Sequence, residues 1–172
     1  MAFTRKENHV PPLVYDVPSF DTDLVEVPVP GQPGNSTRIF HRAQVVAGQA
    51  RLRISFTQAG WFPAGNGFNP LCHYHVQAFI EGMGATPEIN LPPVQINVTQ
   101  GLPLVTYDWN SNPNLEITLP PVLQAGMAPG QTRIFRILTA IFFVLPGHSN
   151  NLLHGFDDSI GMFQITEGPT LP

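Results

Sequence analysis

The stretch RLRISF, residues 51–56, alternates polar and apolar side chains at every position. In a β-strand this alternation would place the arginines and the serine on one face, and leucine, isoleucine and phenylalanine on the other. The stretches VQINVT, residues 94–99, and NLEITL, residues 114–119, alternate in the same way. Such a period of two is typical of strands that bury one face and expose the other to solvent.

Three further stretches are rich in strand-forming residues. The β-branched and aromatic content of TRIFRILTAIFFVL, residues 132–145, favours a long central strand. A three-residue spacing of its two arginines and a threonine leaves a helix as the alternative. The stretches TRIFHRAQVV, residues 37–46, and SIGMFQIT, residues 159–166, are weaker strand candidates.

Clusters of glycine, proline and asparagine separate these stretches, as in GQPGNST, residues 31–37, and QAGMAPGQ, residues 124–131. These residues supply the backbone angles that turns require. No stretch combines a helix cap, apolar residues at a spacing of 3.6 and a proline-free length of about twelve residues or more. We therefore predict an all-β domain, an immunoglobulin-like or jelly-roll β-sandwich of about seven to nine strands.

The composition narrows the classes of partner. The 172 residues suffice for one domain with a full core. Only 12% of the residues are charged, and 19 are proline. The single lysine is Lys6, so the chain almost lacks the residue that often prevents an exposed strand edge from pairing with another chain. The net charge of −4, without a basic run, argues against nucleic acid as a partner.

The apolar runs predict no insertion into a membrane. The longest run, residues 134–145, contains Arg136 and is shorter than the ~20 residues of a membrane helix. The opening residues MAFTRKENHV lack the apolar segment of a secretory signal. The composition suits the extracellular space or a particle surface without fixing the compartment, and the single cysteine excludes an internal disulfide.

Residues 1–30 differ from the rest and predict an extended, proline-rich N-terminal arm before a sandwich domain at 31–172. Prolines at positions 11, 12, 18, 28 and 30 interrupt an otherwise apolar, extended segment. The segment is either the first edge strand of its own domain or an arm that contacts a neighbouring subunit. The side chains expected to fill a groove are Leu13, Tyr15, Val17, Val25, Val27 and Val29.

The segment NPLCHYHVQAFIEG, residues 69–82, contains the only cysteine and two of the six histidines. Read as a strand, it places Cys72 and the four apolar residues at alternate positions after it on a core face. His73, His75 and Glu81 fall on the opposite, solvent face. Two histidines on the solvent face of a strand need no metal to explain them.

A metal site is the alternative for this segment. A glycine followed by His-x-His resembles the start of the cupin metal motif, and His73, His75, Glu81 and His148 could form a set of three nitrogens and one oxygen. The glutamate lies too far along the chain, and the spacing around His148 is wrong for the second motif. We therefore predict neither a metal nor another cofactor.

Motifs for catalysis are absent from the sequence. There is no G-x-S-x-G turn and no glycine-rich phosphate loop. Cys72 and His73 are neighbours along a predicted strand, so their side chains point to opposite faces. The pairs Asp21 with Asp23 and Asp157 with Asp158 are expected to be solvated turn carboxylates. The sequence therefore predicts a protein that is not an enzyme.

Aromatic residues near asparagine and aspartate suggest a recognition surface. Candidate ligand-binding side chains are Trp61, Phe62, Phe68, Tyr107 and Trp109. The alternative is that these rings close the ends of the sandwich.

Two triplets match the N-glycosylation sequon. They begin at Asn35 and Asn97, and Asn97 lies on the polar face of its predicted strand. Such triplets arise by chance in chains rich in asparagine and threonine, so neither carries weight alone.

The stretches YHVQAFIEGMGATPE, residues 74–88, and LLHGFDDSIGMFQI, residues 152–165, resemble a group of uncharacterised bacterial β-sandwich proteins over residues 70–166. Members of that group usually have Gly-Pro after the acidic residue and a final tyrosine. This chain departs from the group at both places. The resemblance implies an immunoglobulin-like sandwich and no catalytic residue. The matching positions are Glu81, Gly82, Gly84, Pro87, Glu88, Gly155, Phe156 and Asp157.

These observations predict a non-enzymatic structural subunit whose partners are other copies of itself. Assembly into a filament, shell or oligomer would use the sandwich edges and the N-terminal arm. The first alternative is a carbohydrate- or protein-binding module with a glycan as partner. The second is a cupin-like metalloprotein.

Overall fold

The computed structural model describes residues 15–29, 31–60, 72–84, 86, 88–102, 104–144 and 152–167, except for the side chains of 15, 16, 60 and 152–154. Within these residues two β-sheets pack face to face around one apolar core. The predicted all-β sandwich is confirmed. No helix among these residues has the length and apolar character needed to cross a membrane.

The strands, in chain order, are β1 (Tyr15–Glu26), β2 (Asn35–Ser36), β3 (Ile39–His41), β4 (Ala50–Gly60), β5 (His73–Gly82), β6 (Ile89–Asn90), β7 (Val94–Asn97), β8 (Leu104–Tyr107), β9 (Glu116–Thr118), β10 (Thr132–Val144), β11 (Leu152–Asp157) and β12 (Met162–Thr166). One short helix, α1, spans Arg42–Val46, and 3-10 helices span Pro113–Leu115 and Pro121–Gln124.

The first sheet has the strand order β2-β1-β4-β8, and β9 also pairs with β4. The second sheet has the order β3-β12-β10-β5-β6, with β11 paired to β10 and β7 paired to β5. The pairing is antiparallel except between β12 and β3, which run parallel. The strands β4 and β10 therefore form the centres of the two sheets.

The core includes the inward-facing residues that the alternation predicted for two central strands. From β4 these include Leu52, Ile54 and Phe56, and from β5 Tyr74 and its alternate neighbours are buried. Each of these side chains is removed from water on folding, and a large apolar side chain contributes about 1.5–3 kcal/mol when fully buried. The strand predicted at 51–56 is confirmed, and those predicted at 94–99 and 114–119 are confirmed over 94–97 and 116–118, whereas residues 114 and 115 belong to a 3-10 helix.

The long apolar stretch is a strand rather than a helix. β10 pairs with β5 over ten residue pairs, from Phe135 with Gly82 to Val144 with His73. Its other side pairs with β11 and β12. Near its end the inward-facing residues Ile141 and Phe143 are buried, and Phe142 and Val144 on the other face are half-buried.

The weaker stretch at residues 37–46 is only partly a strand. β3 ends at His41, and the chain then turns into α1. The Gln44 side chain accepts a hydrogen bond from the backbone N–H of His41 at 2.7 Å, which stabilises the helix start. The prediction of a strand through residue 46 is therefore wrong.

The N-terminal arm is not confirmed over residues 15–27, which belong to the sandwich. β1 pairs with β4 from Tyr15 with Gly60 to Glu26 with Ala50. Pro18 lies in the register shift between Asp16 and Ser19, where its missing N–H interrupts no regular ladder.

The predicted groove-filling side chains mostly face their own domain. Val17, Val25 and Val27 are buried, whereas Val29 is 57% exposed. Leu13 and the side chain of Tyr15 lie outside what the structure describes. The sandwich therefore includes β1, and the predicted domain boundary at residue 31 falls inside it.

Candidate functional site

The outer face of the first sheet presents a patch of polar side chains, which we call the polar face. The alternation that sends Leu52, Ile54 and Phe56 inward sends their neighbours outward. In the strand register Asp21 lies opposite Ser55, and Asp23 lies opposite Arg53. The side chains of the polar face are Ser19, Asp21, Asp23, Ser36, Arg53, Ser55, Thr57, Thr106, Asp108 and Trp109.

Arg53 at the centre of the polar face is held by a buried ion pair. Its guanidinium nitrogens lie 2.7 and 2.9 Å from Glu116 Oε1, and the two side chains are 9% and 7% exposed. A third hydrogen bond of 2.5 Å runs to the carbonyl oxygen of Gln32. These contacts fix the guanidinium plane, because its donors are bound in two directions.

The Trp109 ring lies over this guanidinium. The Arg53 Cζ atom is 3.5 Å from the ring centroid, which is a cation–π contact. Trp109 is half-buried and packs against the edge of the core. The ring is therefore held at a set position beside the polar face instead of swinging with its loop.

The turn that carries Trp109 is fixed by Asp108. The carboxylate accepts a hydrogen bond from the Ser111 backbone N–H at 2.7 Å, and the Asp108 N–H donates to Ser111 Oγ at 3.1 Å. The Ser111 N–H, followed by smaller contributions from the Ser111 hydroxyl and the Asn110 N–H, lowers the pKa of Asp108, and slight burial opposes the shift. Asp108 is thus a carboxylate at neutral pH.

On the opposite side of the polar face, the Asp23 carboxylate is hydrogen-bonded to two nearby side chains. It accepts hydrogen bonds from the Ser36 hydroxyl and from Arg38 at 3.1 Å. A row of hydroxyls continues the face, with Ser19 Oγ donating to Thr57 Oγ1 at 2.8 Å and Thr57 Oγ1 lying 3.3 Å from Thr106 Oγ1. The face thereby offers acceptors and hydroxyl groups at defined positions.

The side chains of the polar face other than Ser19 and Thr57 line a hollow of about 420 Å³. Three carboxylates line it (Asp21, Asp23 and Asp108), and its single guanidinium is paired with Glu116. A second hollow of about 410 Å³ lies next to Trp109 and is lined by Arg51, Asn110, Pro113 and Glu116 among others. In the first hollow Asp23 is also paired with Arg38, and the remaining excess of carboxylates disfavours an anionic ligand.

The aromatic residues predicted to bind a ligand occupy different positions in the structure. Trp109 borders the polar face, but Tyr107 is 8% exposed and points into the core. Its hydroxyl lies 3.0 Å from Gln58 Oε1 and 2.8 Å from Thr99 Oγ1, and it accepts the Thr99 N–H at 2.9 Å. The predicted surface role of Tyr107 is therefore wrong. Trp61, Phe62 and Phe68 lie outside the described residues.

The histidines of β5 form a close pair on the outer face of the second sheet. His73 Nε2 and His75 Nε2 are 3.1 Å apart, and both side chains are half-buried. Burial, followed by the charge of His73, lowers the pKa of His75.

The four-residue metal set is not assembled among the described residues. Glu81 is exposed at the far end of β5, and His148 lies outside the described part of the chain. No group of three or more His, Cys, Asp or Glu side chains that could hold a metal ion occurs in residues 15–167 where the structure describes them.

The two predicted turn carboxylates at residues 157 and 158 separate. Asp158 pairs with Arg136 at 3.3 Å on the surface, as expected for a solvated residue. Asp157 is 2% exposed and lies in the core, so its assignment as a solvated turn residue is wrong. Both sequon asparagines, Asn35 and Asn97, are exposed on strands.

Sequence reasoning missed most residues of the polar face. The signal was present in FDTDL, residues 20–24, where two aspartates alternate with Phe20, Thr22 and Leu24, although Thr22 is polar. Asp21 and Asp23 were instead expected to be solvated carboxylates within the N-terminal arm. The contact between Arg53 and Trp109 joins residues far apart in the chain, so no local pattern could show it.

Comparison with known proteins does not identify a family. No family model and no curated protein matches the chain. A match among solved structures is the solution structure of a protein assigned provisionally to the late embryogenesis abundant (LEA) proteins. It shares 8% identity at a TM-score of 0.34 and covers 87% of this chain and 71% of that one.

Proposed function

We propose that the protein is a binding module that holds a neutral carbohydrate on the polar face of its first sheet. The observation that carries the proposal is the Trp109 ring, stacked on the buried Arg53 guanidinium beside a hollow lined by carboxylates and hydroxyls. The hollow of about 420 Å³ has the volume of a small-ligand site, for which about 300–1,000 Å³ is usual.

The chemistry of the lining matches a sugar. Carboxylates accept hydrogen bonds from the ligand hydroxyls, and the serine and threonine hydroxyls can donate or accept. The apolar C–H face of a sugar ring can pack against an aromatic ring such as Trp109, whose amphipathic character suits a partly wet site. Because three carboxylates line the hollow, an acidic sugar is disfavoured relative to a neutral one.

The side chains of the site are already fixed before a ligand binds, which lowers the entropic cost of binding. Arg53 is fixed by Glu116 and Gln32, and Asp108 is fixed by Ser111. Ligand binding therefore needs little ordering of side chains, and a larger part of the contact energy appears as affinity.

The test is a binding panel of neutral oligosaccharides with gluco, manno, galacto and xylo configuration, followed by calorimetry on any that bind. Asp21→Asn should weaken binding about tenfold or more, since a hydrogen bond to a charged group contributes about 1.5–3 kcal/mol. Trp109→Ala should also weaken it. The matched control is Asp158→Asn, which changes a surface carboxylate in the turn after β11.

Two results would overturn the proposal. One is a panel without any binder, and the other is a bound oligosaccharide whose affinity is unchanged by Asp21→Asn and Trp109→Ala. Tighter binding of sulfated or uronic oligosaccharides than of neutral ones would contradict the assigned ligand class.

Self-association is a second candidate function, supported by the edge of the first sheet. β8 pairs with β4 on one side, and no described strand pairs with its other side. Leu102 and Leu104 at this edge are 51% and 61% exposed. An exposed apolar edge without lysine is a site where a second chain can add a strand.

Light scattering at increasing concentration tests the self-association. Leu104→Lys should shift any oligomer to monomer, whereas Met162→Lys, equally exposed at 61% but facing outward from β12, should not. A chain truncated before Gly31 is unsuited to this test because it lacks β1. Monomers at all concentrations for the wild-type protein would exclude this function.

A further inference from the structure

His73 and His75 form a pair of imidazoles whose spacing is that of two ligands on one metal ion. Alternate residues of a strand project from the same face, and here the two rings converge until their Nε2 atoms are 3.1 Å apart. Two imidazole nitrogens bound at about 2.0–2.1 Å lie about 2.9 Å apart at a right angle and about 3.3 Å apart at a tetrahedral angle. The observed spacing falls between these limits.

The neighbours of the pair also suit a metal ion. In the strand register His73 lies between Asn97 and Val144, and His75 lies between Gln95 and Phe142. The amides on β7 can support bound water or the ion through their oxygens, and the apolar side chains on β10 limit solvent on the other side. Imidazole donors select zinc, copper or nickel over magnesium and calcium, which prefer oxygen.

We propose that His73 and His75 bind one divalent first-row transition-metal ion through their Nε2 atoms, with copper bound more tightly than nickel or zinc. This site is independent of the carbohydrate proposal, since it lies on the outer face of the other sheet. Binding needs a free electron pair on both Nε2 atoms. The ring that donates the hydrogen bond between them must therefore move its proton to Nδ1, which exchange with water allows.

The test uses the full chain without an affinity tag, titrated with Cu²⁺, Ni²⁺ and Zn²⁺ in separate calorimetric experiments. The wild-type protein should bind at least one ion saturably, and His73→Asn and His75→Asn should each remove that binding. The matched control is His41→Asn, which alters an exposed histidine on β3 and should leave the titration unchanged. Mg²⁺ should show no saturable binding.

Electron paramagnetic resonance of the Cu²⁺-loaded wild-type protein gives a readout that does not depend on the variants. The spectrum should show hyperfine splitting from two nitrogen ligands. Saturable binding that survives both substitutions, a spectrum without nitrogen coupling, or no saturable binding of any of the three ions would each overturn the proposal.

Discussion

The buried carboxylate of Asp157 on β11 is hydrogen-bonded to Thr22 on β1, across the interface between the two sheets. Asp157 Oδ2 accepts the Thr22 backbone N–H at 2.9 Å and the Thr22 hydroxyl at 2.6 Å. Its other oxygen accepts the Ser159 N–H at 2.8 Å. This carboxylate thereby satisfies donors from β1 and from the turn before β12.

Asp157→Asn should destabilise the fold by about 1.5–3 kcal/mol, because hydrogen bonds to a charged acceptor in a buried site are lost or weakened. The measurement is the free energy of unfolding in urea. Asp158→Asn is the control, since Asp158 is the next residue, pairs with Arg136 at the surface, and should change stability by no more than about 1 kcal/mol. Equal effects of the two substitutions would contradict the role assigned to Asp157.

Tyr107→Phe should also destabilise the protein, by about 1–3 kcal/mol. The substitution removes the hydroxyl that accepts the Thr99 N–H and lies within hydrogen-bond distance of Gln58, so buried polar groups lose a partner. The stacked contact of the ring with Phe56 at 4.8 Å would remain. Thermal or urea unfolding measures the change, and Thr106→Ala on the solvent face is a control expected to have little effect.

The buried hydroxyl of Tyr107 should make the free energy of unfolding depend on pH in the alkaline range. Burial raises the pKa of Tyr107, although its hydrogen bonds with Thr99 oppose the shift. In the unfolded chain the tyrosine ionises near its ordinary pKa of about 10, so the unfolded state loses its proton first. Stability should therefore fall as pH rises above about 10, until the pKa of the folded state is reached.

Ultraviolet titration of tyrosinate, together with unfolding measurements at several alkaline pH values, tests this dependence. Tyr107→Phe should flatten the decline in stability relative to the wild-type protein. A wild-type decline that is identical in the variant would show that another group is responsible.

Much of the fold could be predicted because the strands carry their pattern locally. RLRISF became part of β4, and the segment from Cys72 to Glu81 alternates between core and surface as expected. The prolines at positions 18 and 28 left β1 open between a strand of its own domain and an arm. The structure shows the strand, because a bulge accommodates Pro18 and Pro28 follows the strand.

The candidate site was less predictable because its contacts join distant segments. Sequence alone gives Asp157 and Asp158 the same character, and only the strand pairing buries one and exposes the other. Trp109 was among the side chains predicted to bind a ligand, but its partner Arg53 lies on β4, far away in the chain. Long-range register decides such contacts, and a single sequence does not encode it as a local period.

Cys72 should be inert towards thiol reagents in the folded protein. The side chain is 2% exposed, and burial raises the pKa of its thiol, so the reactive thiolate is scarce. A chromogenic disulfide reagent should react slowly with the native protein and promptly in denaturant. Rapid reaction of the native protein, at a rate that does not depend on the urea concentration, would contradict the burial of Cys72.

Glu116→Gln should cost about 3–5 kcal/mol of stability, because it leaves the Arg53 guanidinium buried without its counter-charge. The matched control is Asp158→Asn, which breaks the exposed pair with Arg136 and should cost no more than about 1 kcal/mol. Urea unfolding separates the two cases.

The substitution of Glu116 should also disturb the polar face, since Trp109 stacks on the guanidinium that Glu116 holds. Near-ultraviolet circular dichroism of the folded variant should show a changed tryptophan band, because the ring loses its fixed environment. An unchanged band together with a small loss of stability would mean that the Gln32 carbonyl and Trp109 suffice to hold Arg53. The ion pair would then be dispensable for the geometry on which the proposed carbohydrate site depends.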